Sequence, residues 1–245
     1  MLSESIEGVE VEILAFSDVH TPRYLPLLIK SIQDLKEKNF DVVMMAGDLV
    51  DRSNVEEFSK LLEVLKSNIK YKYIVAVFGN EEYREKEEEF KESYPEVRWL
   101  NDEYLVLKLN KGCLGVVGSR GSLLRPTSWQ RKNLPGIAEE YKRKPEVIRQ
   151  LIKEVKKECP NVVYLSHYAP TWKTLVGESR HIWPYLGDPR IEKVLKEEGV
   201  HVAIHGHVHR GRVSYVHTST LTIYNVALPA RGNVTIVKMA LQLTI

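Results

Sequence analysis

Asp18, His20, Asp48, Asn80, His167, His207 and His209 carry the donor atoms with which this chain could do chemistry. Each offers an oxygen or a neutral imidazole nitrogen, the donors that divalent metal ions take. They fall in five short motifs: Asp18-Val19-His20, Gly47-Asp48, Gly79-Asn80, a lone His167, and Gly206-His207-Val208-His209. The glycines before Asp48, Asn80 and His207 permit sharp turns that would aim those side chains. Taken singly, each motif has a plainer reading. An Asp after a strand is often a helix cap, and a lone His is often a packed, hydrogen-bonded ring. Gly-His-Val-His could be a turn with two exposed rings, although alternate residues of an extended segment share a face. The five together point to metal chemistry, because each follows an apolar run that reads as a strand.

Those runs are Ile13 to Phe16, Val42 to Ala46, Ile74 to Phe78, Asn161 to Leu165 and Val202 to Ile204. Helical periodicities separate them, a pattern that predicts an α/β fold. Leu25, Leu28, Ile29, Ile32 and Leu35 share one helical face, with Thr21 as cap and Pro22 as the first helical residue. Ser53 and Glu56 have capping-box spacing before the stripe Val55, Phe58, Leu61, Leu62 and Leu65. The charged run Glu82 to Glu92 reads as a solvated helix, with Glu82–Lys86 and Glu87–Lys91 as i,i+4 pairs. Val97 to Val117 is β-rich with breaks at Gly112 and Gly115, and 119–138 reads as a long loop. The next helix turns Val147, Leu151, Ile152 and Val155 inward. A second long loop spans 168–187, Asp188-Pro189 opens a short helix closed near Gly199, and the remainder is β-rich to Ile245. In open α/β sheets, ligands bind beyond the carboxyl ends of strands, which is where all five motifs fall.

Composition narrows the classes. The 245 residues are 43% hydrophobic and 28% charged with a net charge of +2, as expected of a globular chain without a global field for nucleic acid or anionic membrane. No apolar run approaches the roughly 20 residues of a membrane helix, and Met1 to Gly8 lacks the pattern of a secretory signal. Cys113 and Cys159 could form at most one bridge and have no zinc spacing. The expectation is one domain over residues 1–245, located in the cytoplasm.

The order Asp-x-His, Gly-Asp, Gly-Asn, His, Gly-His-x-His, running from Asp18 to His209, resembles the calcineurin-like metallophosphoesterases. That resemblance implies a four-layer αββα sandwich with two mixed sheets face to face. It implies one metal on Asp18, His20 and His209, a second on Asn80, His167 and His207, and Asp48 bridging them. Two divalent ions bring more positive charge than Asp18 and Asp48 neutralise, so the site would attract phosphate. Ions about 3.5–4 Å apart can share a hydroxide that attacks the ester in line. Mn, Fe, Zn, Co and Ni all suit the mixed donors. The implied activity is hydrolysis of phosphodiesters, nucleotides or activated phosphomonoesters; a scaffold that has lost catalysis on the same fold is the alternative. The chain departs from the family at Glu81, where a histidine usually serves as general acid. Asp48, Glu81 and His20 are the candidate catalytic residues.

Substrate contacts are expected from Asn80 and from the loop 119–138, where Arg120 and Arg125 could hold phosphate and Trp129 could stack on a ring. The same loop carries Arg131 and Lys132. Trp172, Arg180 and His181 are candidates to wall the cleft, and His181 could replace the missing acid. His205 reads as packed or as a support for the ligands; His201 and His217 carry no motif.

Overall fold

The computed structural model describes residues 10–110, 112–218 and 220–242; Met1 to Gly8 and the extreme C-terminal segment fall outside them. Two mixed sheets pack face to face. The first has the order β11-β1-β2-β3-β4, from β1 (Glu10–Phe16), β2 (Asn39–Ala46), β3 (Lys70–Val77), β4 (Arg98–Leu100) and β11 (Thr235–Ala240). Its β1 to β4 run parallel, and β11 closes the edge antiparallel to β1. The second has the order β5-β6-β7-β8-β10-β9, from β5 (Glu103–Leu109), β6 (Gly112–Ser119), β7 (Val162–Ser166), β8 (Val202–His205), β9 (Tyr215–Thr218) and β10 (Leu221–Asn225). Here β6, β7, β8 and β10 are parallel, and the outer strands antiparallel.

Alternation along the strands explains the layers. Ile13, Val42, Met44, Val75 and Val77 face Leu114, Val116, Val163, Leu165 and Ile204 in a buried inter-sheet core. The intervening residues, Leu14, Phe16, Val43 and Ala76, pack under α1 (Leu25–Gln33), α2 (Phe58–Asn68) and α3 (Glu87–Ser93). On the far side, Val117, Val162, Tyr164 and Ala203 pack under α5 (Ile137–Glu158) and α6 (Pro189–Glu197). These are the four layers of an αββα sandwich. Short α4 (Ser128–Asn133) and α7 (Leu228–Arg231) lie in the connections. Among the described residues, no helix is long and apolar enough to cross a membrane.

Several local expectations are corrected. Thr21–Pro22 is a cis peptide outside α1, which starts at Leu25 with Pro26 in its first turn. Ser53 forms no capping box; its hydroxyl donates to the Glu81 carbonyl instead. Gly115 is no break but lies inside β6, where a Cβ would come within 2.7 Å of Val155 on α5. The supposed loop 119–138 contains α4, held by a Thr127–Gln130 capping box. On α5 the buried stripe is Ile137, Tyr141, Lys144, Ile148, Ile152 and Val155, and Val147 is exposed. Cys113 and Cys159 form a disulfide joining β6 to the end of α5.

Candidate metal centre

The carboxyl ends of β1, β2 and β3 meet those of β7 and β8 along one edge of the sandwich. Contacts cross between the two sheets there: the His207 N–H donates to Asp18 Oδ2 (2.9 Å), and the Ser17 N–H to the Val226 carbonyl (3.2 Å). Asp18, His20, Asp48 and His207 all adopt positive φ, between 44° and 68°. Four non-glycine residues in that costly region, within one site, mark a backbone whose conformation is imposed by its surroundings. The glycines work partly by a different route from the turns expected. Gly47 has φ 80°, whereas Gly79 and Gly206 are needed for space: a Cβ on them would lie 2.1 Å from Asp48 Oδ1 and 2.6 Å from Asp18 Oδ2.

Two groups of donors converge there. Ligand atoms of Asp18, His20 and His209 lie within 4.8 Å of one another, as do those of Asp48, His167 and His207. Asn80 joins the second group, its Oδ1 3.1 Å from His167 Nε2. Asp48 lies between the groups, with Oδ2 3.7 Å from His20 Nε2 and 3.5 Å from His167 Nε2. All seven expected residues are therefore brought together.

A family model described as calcineurin-like phosphoesterase matches residues 11–211. The chain belongs to that family. On that membership it is a metal-dependent phosphoesterase. No curated protein sequence matches it significantly. Its fold is similar to that of a phosphopantetheinyl hydrolase from Mycobacterium tuberculosis, at 14% identity, with 92% of each chain covered and a TM-score of 0.67. A dimetal phosphatase from Danio rerio is similar at 12% identity, over 94% of this chain and 92% of that one, with a TM-score of 0.57. An NAD nucleotidase from Haemophilus influenzae is similar at 10% identity with a TM-score of 0.54; 96% of this chain covers only 57% of that larger one.

The donor set of this phosphoesterase fits a metal pair. His20 Nε2 is buried and has no hydrogen-bond partner, while Nδ1 is held by Asp51 Oδ1 at 2.9 Å, itself paired with Arg23. His167 Nδ1 donates to the Ala46 carbonyl at 2.9 Å, which leaves Nε2 with its lone pair facing the site. Such outer contacts fix the tautomer that a cation requires. Burial holds the His167 and His207 pKa values below the usual imidazole range, so both rings are neutral. Burial and the adjacent Asp18 push Asp48 up to about 7. Burial also opposes ionisation of Asp18, but the bond from His209 and neighbouring charge hold it below the usual carboxylate range. Two buried carboxylates beside an orphaned imidazole nitrogen are an arrangement that bound cations relieve.

Glu82 is a residue that sequence reasoning missed. It is fully buried, not solvated. Its carboxylate accepts from the N–H groups of Asp48, Leu49, Val50 and Gly79 at 2.6–3.2 Å, tying the β2 and β3 loops together. Its expected partner Lys86 pairs with Glu89, and Lys91 with Glu88. Burial and Asp48 push the Glu82 pKa up to about 7 against the pull of those N–H donors. Glu81 organises the same loop: its N–H donates to Asp48 Oδ1 (2.7 Å), and its Oε2 accepts from the Arg52 N–H (2.9 Å).

The expected substrate residues divide. Trp129 and Arg120 line a cleft that also touches Asn80, Glu81 and His207. Arg120, however, is buried, with its guanidinium committed to Glu87 at 2.6 Å and to the Glu82 carbonyl at 3.0 Å. Arg125, Arg131, Lys132 and His181 are exposed and outside the cleft lining. Trp172 packs against Trp183, and Arg180 lies over the Trp183 ring. His201 and His217 lie outside the centre. The cleft wall adds Leu123, Leu134, Tyr141, Tyr168 and Tyr185. Leu123 and Leu134 lie in the loop 119–138 expected to contact substrate, and Tyr168 adjoins His167; Tyr141 carried no such signal in the sequence.

His205 is buried beneath the His207–His209 loop. Nδ1 donates to the Gly206 carbonyl (2.8 Å) and Nε2 accepts from Thr174 Oγ1 (2.9 Å). Burial lowers its pKa to about 4. Between pH 6.5 and 4 the unfolded chain therefore binds the proton that the native chain refuses. The contribution is present in full above pH 6.5 and is lost as the pH falls through 4, up to about 3 kcal/mol. We expect His205→Gln to flatten the stability profile in that window in denaturant unfolding. An unchanged slope would show that this ring does not set it.

Proposed function

We propose that this phosphoesterase hydrolyses phosphate esters of small organic molecules at a two-metal centre. One ion would be held by Asp18, His20 and His209, the other by Asn80, His167 and His207, with Asp48 available to both. The observation that supports this most directly is the convergence of seven donors around a buried, unpartnered His20 nitrogen. When bound, such a pair supplies Lewis acidity toward phosphate oxygens and an acidified water as nucleophile. The protein's part is to hold two carboxylates and four imidazoles in place, with Asp51 and the Ala46 carbonyl orienting two of the rings. Nucleotides, other phosphodiesters and activated phosphomonoesters are the substrate classes, and the cytoplasm the site of action. A non-catalytic scaffold has only the replaced histidine at position 81 in its favour. Metal analysis of purified protein, followed by release of nitrophenol from aryl phosphate mono- and diesters, tests the reading. We expect loss of activity on chelation and recovery with Mn, Fe, Zn, Co or Ni; full activity after verified metal removal overturns it.

Glu81 stands where the family's proton donor usually is, so departure of a basic alkoxide should be the slow step. A general acid contributes about 10²–10⁴-fold, most for poor leaving groups. We expect a steep fall of rate with leaving-group pKa in the native protein, and a shallower one in Glu81→His. A flat dependence in the native protein, with chemistry shown to be rate-limiting, would sink the assignment.

A further inference from the structure

We infer that the cleft beside the metal centre receives the organic part of the substrate, and that it takes a flat, uncharged aromatic group of nucleobase size attached to a single phosphate. This rests on the phosphoesterase reading and adds the substrate class. The cleft is continuous with the proposed centre, because Asn80 and His207 belong to both. Its volume of about 590 Å³ exceeds what a phosphate alone needs and falls in the range of small-molecule sites.

The walls are aromatic and aliphatic: Leu123, Leu134, Trp129, Tyr141, Tyr168 and Tyr185. They are also pre-set. Gln130 Nε2 donates to the hydroxyls of Tyr141 (3.0 Å) and Tyr168 (3.2 Å), and its Oε1 accepts from the Thr127 N–H (2.9 Å). The Tyr168 ring meets the edge of His207 at 4.9 Å, which fixes the wall relative to the metal ligands. At the rim, Trp129 is 64% exposed, a large flat surface left in water. Stacking on such a ring is favourable for any base, since each has a π face.

Charge selects against a second phosphate. Both arginines on the wall are already paired, Arg84 with both oxygens of Glu140 (2.9 and 3.0 Å) and Arg120 with Glu87. Glu81 and Glu85 add negative charge to the lining. A polyphosphate or an acidic phosphopeptide entering the cleft would meet carboxylates and no free cation among the described residues. An uncharged ring would lose water against apolar walls instead.

The test uses adenosine, which has the ring and no phosphate, with the full-length metal-loaded protein in calorimetric titration. We expect saturable binding at one site per chain, weakened on the order of ten-fold in Trp129→Ala. In turnover assays, adenosine monophosphate should be hydrolysed with a higher kcat/KM than adenosine diphosphate. Absence of adenosine binding, equal binding in Trp129→Ala, or a diphosphate at least as good as the monophosphate each overturns the inference. The two readings separate cleanly. Adenosine binding without hydrolysis of any ester supports the cleft and removes the phosphoesterase reading. Hydrolysis of aryl esters without adenosine binding does the reverse.

Discussion

Asp48→Asn should reduce turnover by at least about 10³-fold while leaving the metal-free protein more stable than its parent. Asp48 faces both donor groups, so the amide withdraws one negative charge from both proposed ions at once. Lewis-acid stabilisation of a phosphoryl transition state is worth several kcal/mol, and each 1.4 kcal/mol is a factor of ten in rate. The fold should survive, because an amide oxygen can still accept the Glu81 N–H now bound at 2.7 Å by Oδ1. The gain in metal-free stability follows from the raised pKa of about 7, caused by burial and by Asp18. A group whose native pKa is raised costs the native state stability as the pH climbs from its unfolded value through 7. Asparagine has no such cost, so the metal-free variant should unfold at higher denaturant near pH 7 and lose that part of the pH dependence. Metal should then stabilise the parent far more than the variant. A variant that keeps two metals per chain and near-normal rates would remove Asp48 from the bridging role.

The donor set behind that effect was legible in the sequence, because it depends on residue types at strand ends. Apolar runs of four or five residues ending in Gly-Asp, Gly-Asn or His state both the strand and its polar terminus within one short window. The α/β class followed from the same windows, and the four layers were implied by the family resemblance that their order carries. What stayed hidden depends on partners far away in sequence. Glu82 looked solvated because it opens a run rich in Glu and Lys, and nothing local shows that Asp48, Leu49 and Val50 aim their N–H groups at it. Arg120 looked free to bind phosphate until Glu87, 33 residues away, was found to hold it. On α5, Val147 and Ile148 are adjacent and both apolar, so hydrophobicity alone did not select the face; the sheet did, burying Ile148. The tyrosine wall of the cleft is assembled from α5, the loop after β7 and the segment before α6, and no single window contains it.

Glu82→Ala should be among the most destabilising single changes in the molecule, by about 3–6 kcal/mol. The carboxylate fills a backbone nest: three successive N–H groups from Asp48 to Val50, plus that of Gly79, converge on its two oxygens. Removing it leaves four buried donors without acceptors, each costing about 1–3 kcal/mol before water or relaxation recovers part. Domains of ordinary stability have only about 5–15 kcal/mol in hand. The loss would also reach the metals, because the nest joins the loop carrying Asp48 to the loop carrying Asn80. We expect metal affinity to fall at both sites that use those residues. Glu82→Gln provides a graded version: its amide nitrogen must face two N–H donors whichever way the group is turned, so a cost of about 2–4 kcal/mol should appear in a protein that still folds. Glu85→Gln, three residues on and exposed, is the control and should change stability by less than about 0.5 kcal/mol. Denaturant unfolding of the three variants, with metal titration of those that fold, measures both effects. If Glu82→Gln unfolds with its parent and binds metal equally well, the nest does not hold the site together. If both fall while Glu85→Gln stays level, a glutamate from the middle of a charged run is the structural tie between two of the metal-binding loops.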